Sequence, residues 1–99
     1  MKIKINAVHF KTDKKLEEFI HEKIEKLSNL YDGVVESEVS LKLENSEKED
    51  NKVAEIRLAI RGNDLYAKKQ SKTFEESIDS SVEALRKQLV KHKEKVKGI

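Results

Sequence analysis

The stretch KIKINAVHF, residues 2–10, opens on strict alternation: Ile3, Ile5 and Ala7 fall on one side, Lys2, Lys4 and Asn6 on the other. A period of two marks a strand with one buried face. Val8 and Phe10 break the parity, so the strand is expected to end or bulge there. Thr12 or Asp13 can then cap a helix, because either side-chain oxygen accepts an orphan backbone N–H. Leu16, Phe19, Ile20, Ile24, Leu27 and Leu30 recur at spacings of three and four and so form one helical stripe. Asp32-Gly33 is expected to end this helix, glycine taking the left-handed turn at little cost.

Residues 34–43, VVESEVSLKL, alternate again. Val35, Val39, Leu41 and Leu43 are expected to face inward, opposite Glu36, Glu38, Ser40 and Lys42. The wholly polar ENSEKEDNK, 44–52, has nothing to bury and is expected to be a mobile hairpin loop. In VAEIRLAIR, 53–61, Ala54, Ile56, Leu58 and Ile60 face in, while Glu55, Arg57 and Arg61 face out. Gly62-Asn63-Asp64 reads as a tight turn. LYAKKQ, 65–70, reads as a short fourth strand with Leu65 and Ala67 inward and Tyr66 and Lys68 outward. Thr73-Phe74-Glu75-Glu76 has the form of a capping box. It opens a long helix with Phe74, Ile78, Val82, Leu85, Leu89 and Val96 on one stripe.

The order β-α-β-β-β-α predicts an α+β fold in one domain, residues 1–99. Short hairpins make strands two to four antiparallel. Both helices must cover the one apolar face of a four-stranded sheet.

Composition narrows the function classes. Hydrophobic residues make up 36% of the chain and charged residues 40%, so the core is expected to be a single thin layer. There is no cysteine, which excludes a disulfide framework and a thiolate zinc site. No apolar run approaches the roughly 20 residues of a membrane span, and no signal-peptide pattern is present. A soluble cytoplasmic protein is the expectation. His9, His21 and His92 fall on different elements without metal-ligand spacing. No glycine-rich phosphate loop or nucleophile motif occurs, and most carboxylates are interspersed with lysines. Neither an enzyme nor a cofactor nor a small-molecule substrate is indicated.

Charge changes the picture more. The net charge is only +2, but the local sums over 1–43, 44–52, 53–72, 73–85 and 86–99 are 0, −2, +3, −4 and +5. The chain ends in LRKQLVKHKEKVKGI. Acidic residues at the start of a helix and basic ones at its end suit the helix dipole. That influence fades within about one turn, whereas these basic residues run over three. Lys68, Lys69 and Lys72 precede the same helix, and Arg57 and Arg61 lie on the neighbouring strand. Together they suggest the phosphate-contacting footprint of a nucleic-acid binder. With few aromatic residues, recognition would follow backbone and shape more than base sequence.

Nearly the whole chain resembles the short ribosome hibernation promoting factors and ribosome-associated inhibitors, also called sigma-54 modulation proteins. The resemblance runs through Leu16-Glu17-Glu18-Phe19, Lys26-Leu27, Tyr31-Asp32 and Ser77-Ile78-Asp79, and is most specific at Leu85 to Lys95, with Gln88-Leu89-Val90-Lys91-His92-Lys93 at its centre. Thr73 stands where members often carry an Asp cap, and Glu75 where they often carry Tyr. The resemblance implies a fold similar to double-stranded RNA-binding domains and binding to the small ribosomal subunit in the decoding cleft. There the protein would exclude mRNA and tRNA and keep idle ribosomes inactive. By position it implies rRNA contacts from Arg86, Lys87, Lys91, His92, Lys93 and Lys95, with Lys42, Arg57 and Lys68 as further basic positions. It also implies a monomer off the ribosome, without the second, dimerising domain of long members. A general double-stranded RNA binder and a protein-only partner module remain open beside this reading.

Overall fold

The computed structural model describes residues 1–44 and 50–97, with the side chains of Val96 and Lys97 outside that description. The elements follow the order β1 (Lys2–Ala7), α1 (Lys14–Ser28), β2 (Val34–Leu43), β3 (Lys52–Ile60), β4 (Asn63–Ser71) and α2 (Phe74–Lys97). One sheet holds the strands in the order β1-β2-β3-β4. β1 runs parallel to β2, from Lys2 beside Glu36 to Ala7 beside Leu41, as a strand joined through a helix can. The β2–β3 and β3–β4 pairs are antiparallel. The fold is therefore the expected four-stranded sheet, mixed in direction, with both helices on one face.

The core lies between that face and the helices. Leu16, Ile20, Ile24 and Leu27 of α1 and Ile78, Leu85 and Leu89 of α2 close over Val39, Leu41, Ala54, Ile56, Leu58, Leu65 and Ala67. Ile3, Ile5, Phe19 and Val82 pack against this cluster half-buried. α2 lies across β3 and β4 and against α1. Asp13 caps α1, its carboxylate accepting the Leu16 N–H at 2.7 Å. Thr73 caps α2, its hydroxyl accepting the Glu76 N–H at 3.1 Å.

Several local expectations need correction. Val35 faces out, 56% exposed, because a bulge between Val34 and Glu36 shifts the register and turns Val34 inward. Leu43, at the end of β2, is also exposed, as is Leu30, which follows α1 instead of lying on its stripe. β4 begins at Asn63, so the turn is Arg61-Gly62, closed by the Ile60–Asn63 pair. Gly62 takes φ 79°, the conformation that glycine adopts freely. Gly33 is not a left-handed helix stop; α1 ends at Ser28 with Asn29 as its cap. β1 ends at Ala7, and after His9 (φ 64°) Phe10 stacks on Phe74, centroids 5.0 Å apart. The expectation of mobility for the 44–52 loop falls largely on 45–49, outside the described residues, and the place of the Val96 side chain in the stripe is likewise outside them.

Candidate nucleic-acid interface

α2 buries Ser77, Ile78, Ser81, Leu85 and Leu89, a face set by the helical period. Turning 100° per residue from that face puts Lys87, Lys91 and Lys95 in a row that winds from the back of the helix toward β4. On the same flank, Gln88 donates from Nε2 to the Tyr66 carbonyl at 3.0 Å and so tethers α2 to the β4 edge. Lys87 also borders a shallow groove with Lys69, Asp79 and Ser80. Lys87, Lys91 and Lys95 are exposed and Lys93 is half-buried. Among the described residues, none of these four forms an ion pair with a carboxylate, although the Lys87 charge helps Arg86 to lower the Glu83 carboxyl. At about 1.5 Å per residue, the row from Lys87 to Lys95 spans about 12 Å.

The other expected contacts stand differently. Arg86 lies toward α1, and its guanidinium grips Glu83 through two bonds of 2.6 and 3.0 Å. That hydrogen bond holds the Glu83 carboxyl below its usual range and raises Arg86. His92 is half-buried and turned toward the body of the protein. Its ring and that of Tyr31 form a T-shaped pair, centroids 5.4 Å apart and planes at 79°. A histidine between lysines reads as part of a basic row, but its place in the helical period puts it on the buried face.

Lys42, Arg57 and Lys68 do not join the helix lysines. They lie on the open face of the sheet, opposite the helices, where strand register supplies each with a carboxylate. Arg57 sits between Glu38 and Tyr66 in the ladder and pairs with Asp64 at 3.0 Å, Glu38 at 3.2 Å and Glu36 at 3.9 Å. Lys68 and Lys42 reach Glu55 at 3.5 and 3.9 Å, and the Tyr66 hydroxyl donates to Glu55 at 2.7 Å. The Tyr66 hydrogen bond, then Lys68 and Lys42, hold the Glu55 carboxyl below the ordinary carboxylate range. Three cations thus meet four carboxylates, so Lys42, Arg57 and Lys68 bring no unmatched positive charge to the open face. The pairing was latent in the sequence: alternation put these residues on one face, and hairpins brought them opposite one another.

Arg61 and Tyr31 also bear on the site. Gln88 lies level with Tyr66, and the strand needs about 10 Å to reach back to Asn63, which α2 covers in six or seven residues. From Gln88, α2 runs on in the direction of the Arg61-Gly62 turn, whose Arg61 is exposed. Tyr31 packs against the core and meets His92.

The family described as sigma 54 modulation protein / S30EA ribosomal protein matches residues 3–97. The ribosome hibernation promoting factor of Escherichia coli (strain K12) is 27% identical over 97 residues, covering 98% of each chain. That of Klebsiella oxytoca is 25% identical over 97 residues, again covering 98% of each chain. Among solved structures, a ribosomal subunit interface protein from Coxiella burnetii superposes with a TM-score of 0.82 at 17% identity, covering 94% of this chain and 98% of that one. The Thermus thermophilus Protein Y N-terminal domain gives 0.78 at 21% identity, covering 90% and 96%. These two structural likenesses speak to the fold.

Proposed function

The chain belongs to the sigma 54 modulation protein / S30EA ribosomal protein family, and from that membership we propose that it is a ribosome hibernation factor, a binding protein that holds idle ribosomes inactive. Its partner in this reading is the small ribosomal subunit. It occupies the decoding cleft, where it blocks mRNA and tRNA, and it meets the partner in the cytoplasm. No described helix is long and apolar enough to cross a membrane.

The observation that carries the reading is the row of lysines on α2. Lys87, Lys91 and Lys95 stand outside any ion pair among the described residues on one continuous helix, with Lys93 beside them. Such cations displace condensed counterions from a phosphate backbone, which gives affinity without base readout. The helix dipole accounts for the last of them but not for Lys87, ten residues and about 15 Å from the helix end.

The test is sedimentation of the purified protein with isolated small subunits, large subunits and duplex RNA, alongside a cell-free translation assay. Selective co-sedimentation with small subunits and loss of translation are expected. Equal binding to plain duplex RNA would replace this reading with that of a general double-stranded RNA module.

A further inference from the structure

Beyond Leu89, the last residue of α2 that is fully buried among the described side chains, the helix carries Lys91, Lys93 and Lys95. Positive charges four residues apart on a helix repel, and helix ends fray. A contact beyond Leu89 helps to hold these turns in place, and His92 makes one through the T-shaped arrangement of its ring with that of Tyr31.

The Tyr31 ring is itself held by an unusual neighbour. Gly33 is buried and does not have a positive φ, so backbone freedom is not what it contributes. A Cβ at Gly33 would lie 2.3 Å from Tyr31 Cε2 and 2.7 Å from Cζ. Any other residue would displace the ring. The Gly33 main chain is fixed in turn, its carbonyl accepting the Arg61 N–H at 3.1 Å. The ring is thus clamped between the Gly33 backbone, the core and His92.

We infer that Tyr31 is a positioning residue for the lysine row: seated on Gly33, it holds His92 and so orders the last turns of α2 before the partner arrives. The inference rests on the proposed role of those lysines in binding. A pre-ordered row loses less conformational freedom on binding than a frayed one.

The test compares Tyr31→Leu, Tyr31→Phe and Gly33→Ala with the unaltered protein. The readouts are amide hydrogen exchange along α2 and affinity for isolated small subunits. Tyr31→Leu should speed exchange at residues 90–95 while leaving 78–89 protected, and should weaken binding about two- to tenfold, the ordering loss of one long side chain. Tyr31→Phe keeps the ring and should restore both. Gly33→Ala should reproduce the loss by pushing the ring aside, and should add nothing further in the Tyr31→Leu background. Exchange at 90–95 unchanged in both Tyr31→Leu and Gly33→Ala would overturn the inference. So would Tyr31→Phe weakening binding as much as Tyr31→Leu, since that implicates the hydroxyl in direct contact. If the unaltered protein does not bind small subunits, the functional reading fails, and hydrogen exchange still decides whether Tyr31 orders the helix.

Discussion

The Ser77 hydroxyl lies 2.6 Å from the carbonyl oxygen of Lys52, so a polar bond joins α2 to β3 inside the core. One turn later the Ser81 hydroxyl reaches the Ala54 carbonyl at 3.4 Å. Both serines are buried. Their small side chains let the helix approach the sheet closely, and their hydroxyls satisfy themselves on strand carbonyls. Ser77→Ala should lower stability by about 1–2 kcal/mol by removing the hydrogen bond. The neighbouring exposed Ser80→Ala should stay within about 0.5 kcal/mol of the unaltered protein. Urea unfolding of the two variants checks the contrast.

The bulge in β2 gives a second contrast. Leu41 and Leu85 are fully buried, whereas Val35 is largely exposed. Leu41→Ala or Leu85→Ala should cost about 2–5 kcal/mol through reduced burial and the residual cavity. Val35→Ala should change stability by no more than about 0.5 kcal/mol. A large loss from Val35→Ala in thermal or denaturant unfolding would restore the unbulged register.

Those contrasts show which features could be read from the sequence. The inward sets Ala54, Ile56, Leu58 and Ile60 and Leu65 and Ala67 were readable because each recurs at every second residue, although Val53, of the opposite parity at the start of β3, is buried as well. The α2 stripe was readable because Ile78, Leu85 and Leu89 recur at the helical period. Val35 misled because Val34 beside it is equally apolar, and a one-residue slip between two valines leaves no mark on the pattern. Ser77 and Ser81 were hidden because polar residues are assigned outward unless a buried acceptor is known. In the interface, the lysine row was visible in the sequence. What separates it from Lys42, Arg57 and Lys68 is cross-strand pairing, which depends on register rather than residue type.

The Tyr66–Glu55 bond predicts a pH response. Tyr66 is 53% exposed, and its hydroxyl is bound to Glu55, which lowers the carboxyl and raises the phenol. A lowered carboxyl contributes stability that is present above the unfolded value, about 4.3, and is lost as pH falls through the folded value. A raised phenol contributes stability that is present below about 10 and is lost as pH rises through its folded value. The bond should therefore hold across the neutral range and weaken at both extremes. In Tyr66→Phe the Glu55 carboxyl should titrate nearer the ordinary carboxylate range. Carboxyl carbon shifts followed by NMR would show the change, and a Glu55 titration unaffected by Tyr66→Phe would refute the bond.

The paired and unpaired cations should separate in binding. Lys87, Lys91, Lys93 and Lys95 have no carboxylate partner among the described residues, whereas Lys42, Arg57 and Lys68 are each held by one or more. A cation already matched to a carboxylate must give up that partner to meet a phosphate, so its net gain is smaller. Changing Lys87, Lys91, Lys93 and Lys95 together to Gln should leave the protein folded and near its original stability, because charges that are exposed or half-buried and outside any ion pair contribute little to it. Affinity for small subunits should fall sharply, and the log–log salt slope should flatten by roughly 0.7–0.9 for each phosphate no longer engaged. Changing Lys42, Arg57 and Lys68 to Gln should do the reverse, loosening the open face slightly while the salt slope stays close to that of the unaltered protein. Arg86→Gln should fall between, because Glu83 already engages two of the Arg86 guanidinium nitrogens and offsets its charge. Salt titrations of binding on folded variants read all three. A quadruple variant that keeps both affinity and slope would remove α2 from the interface, and a triple variant that loses them would move the interface to the sheet.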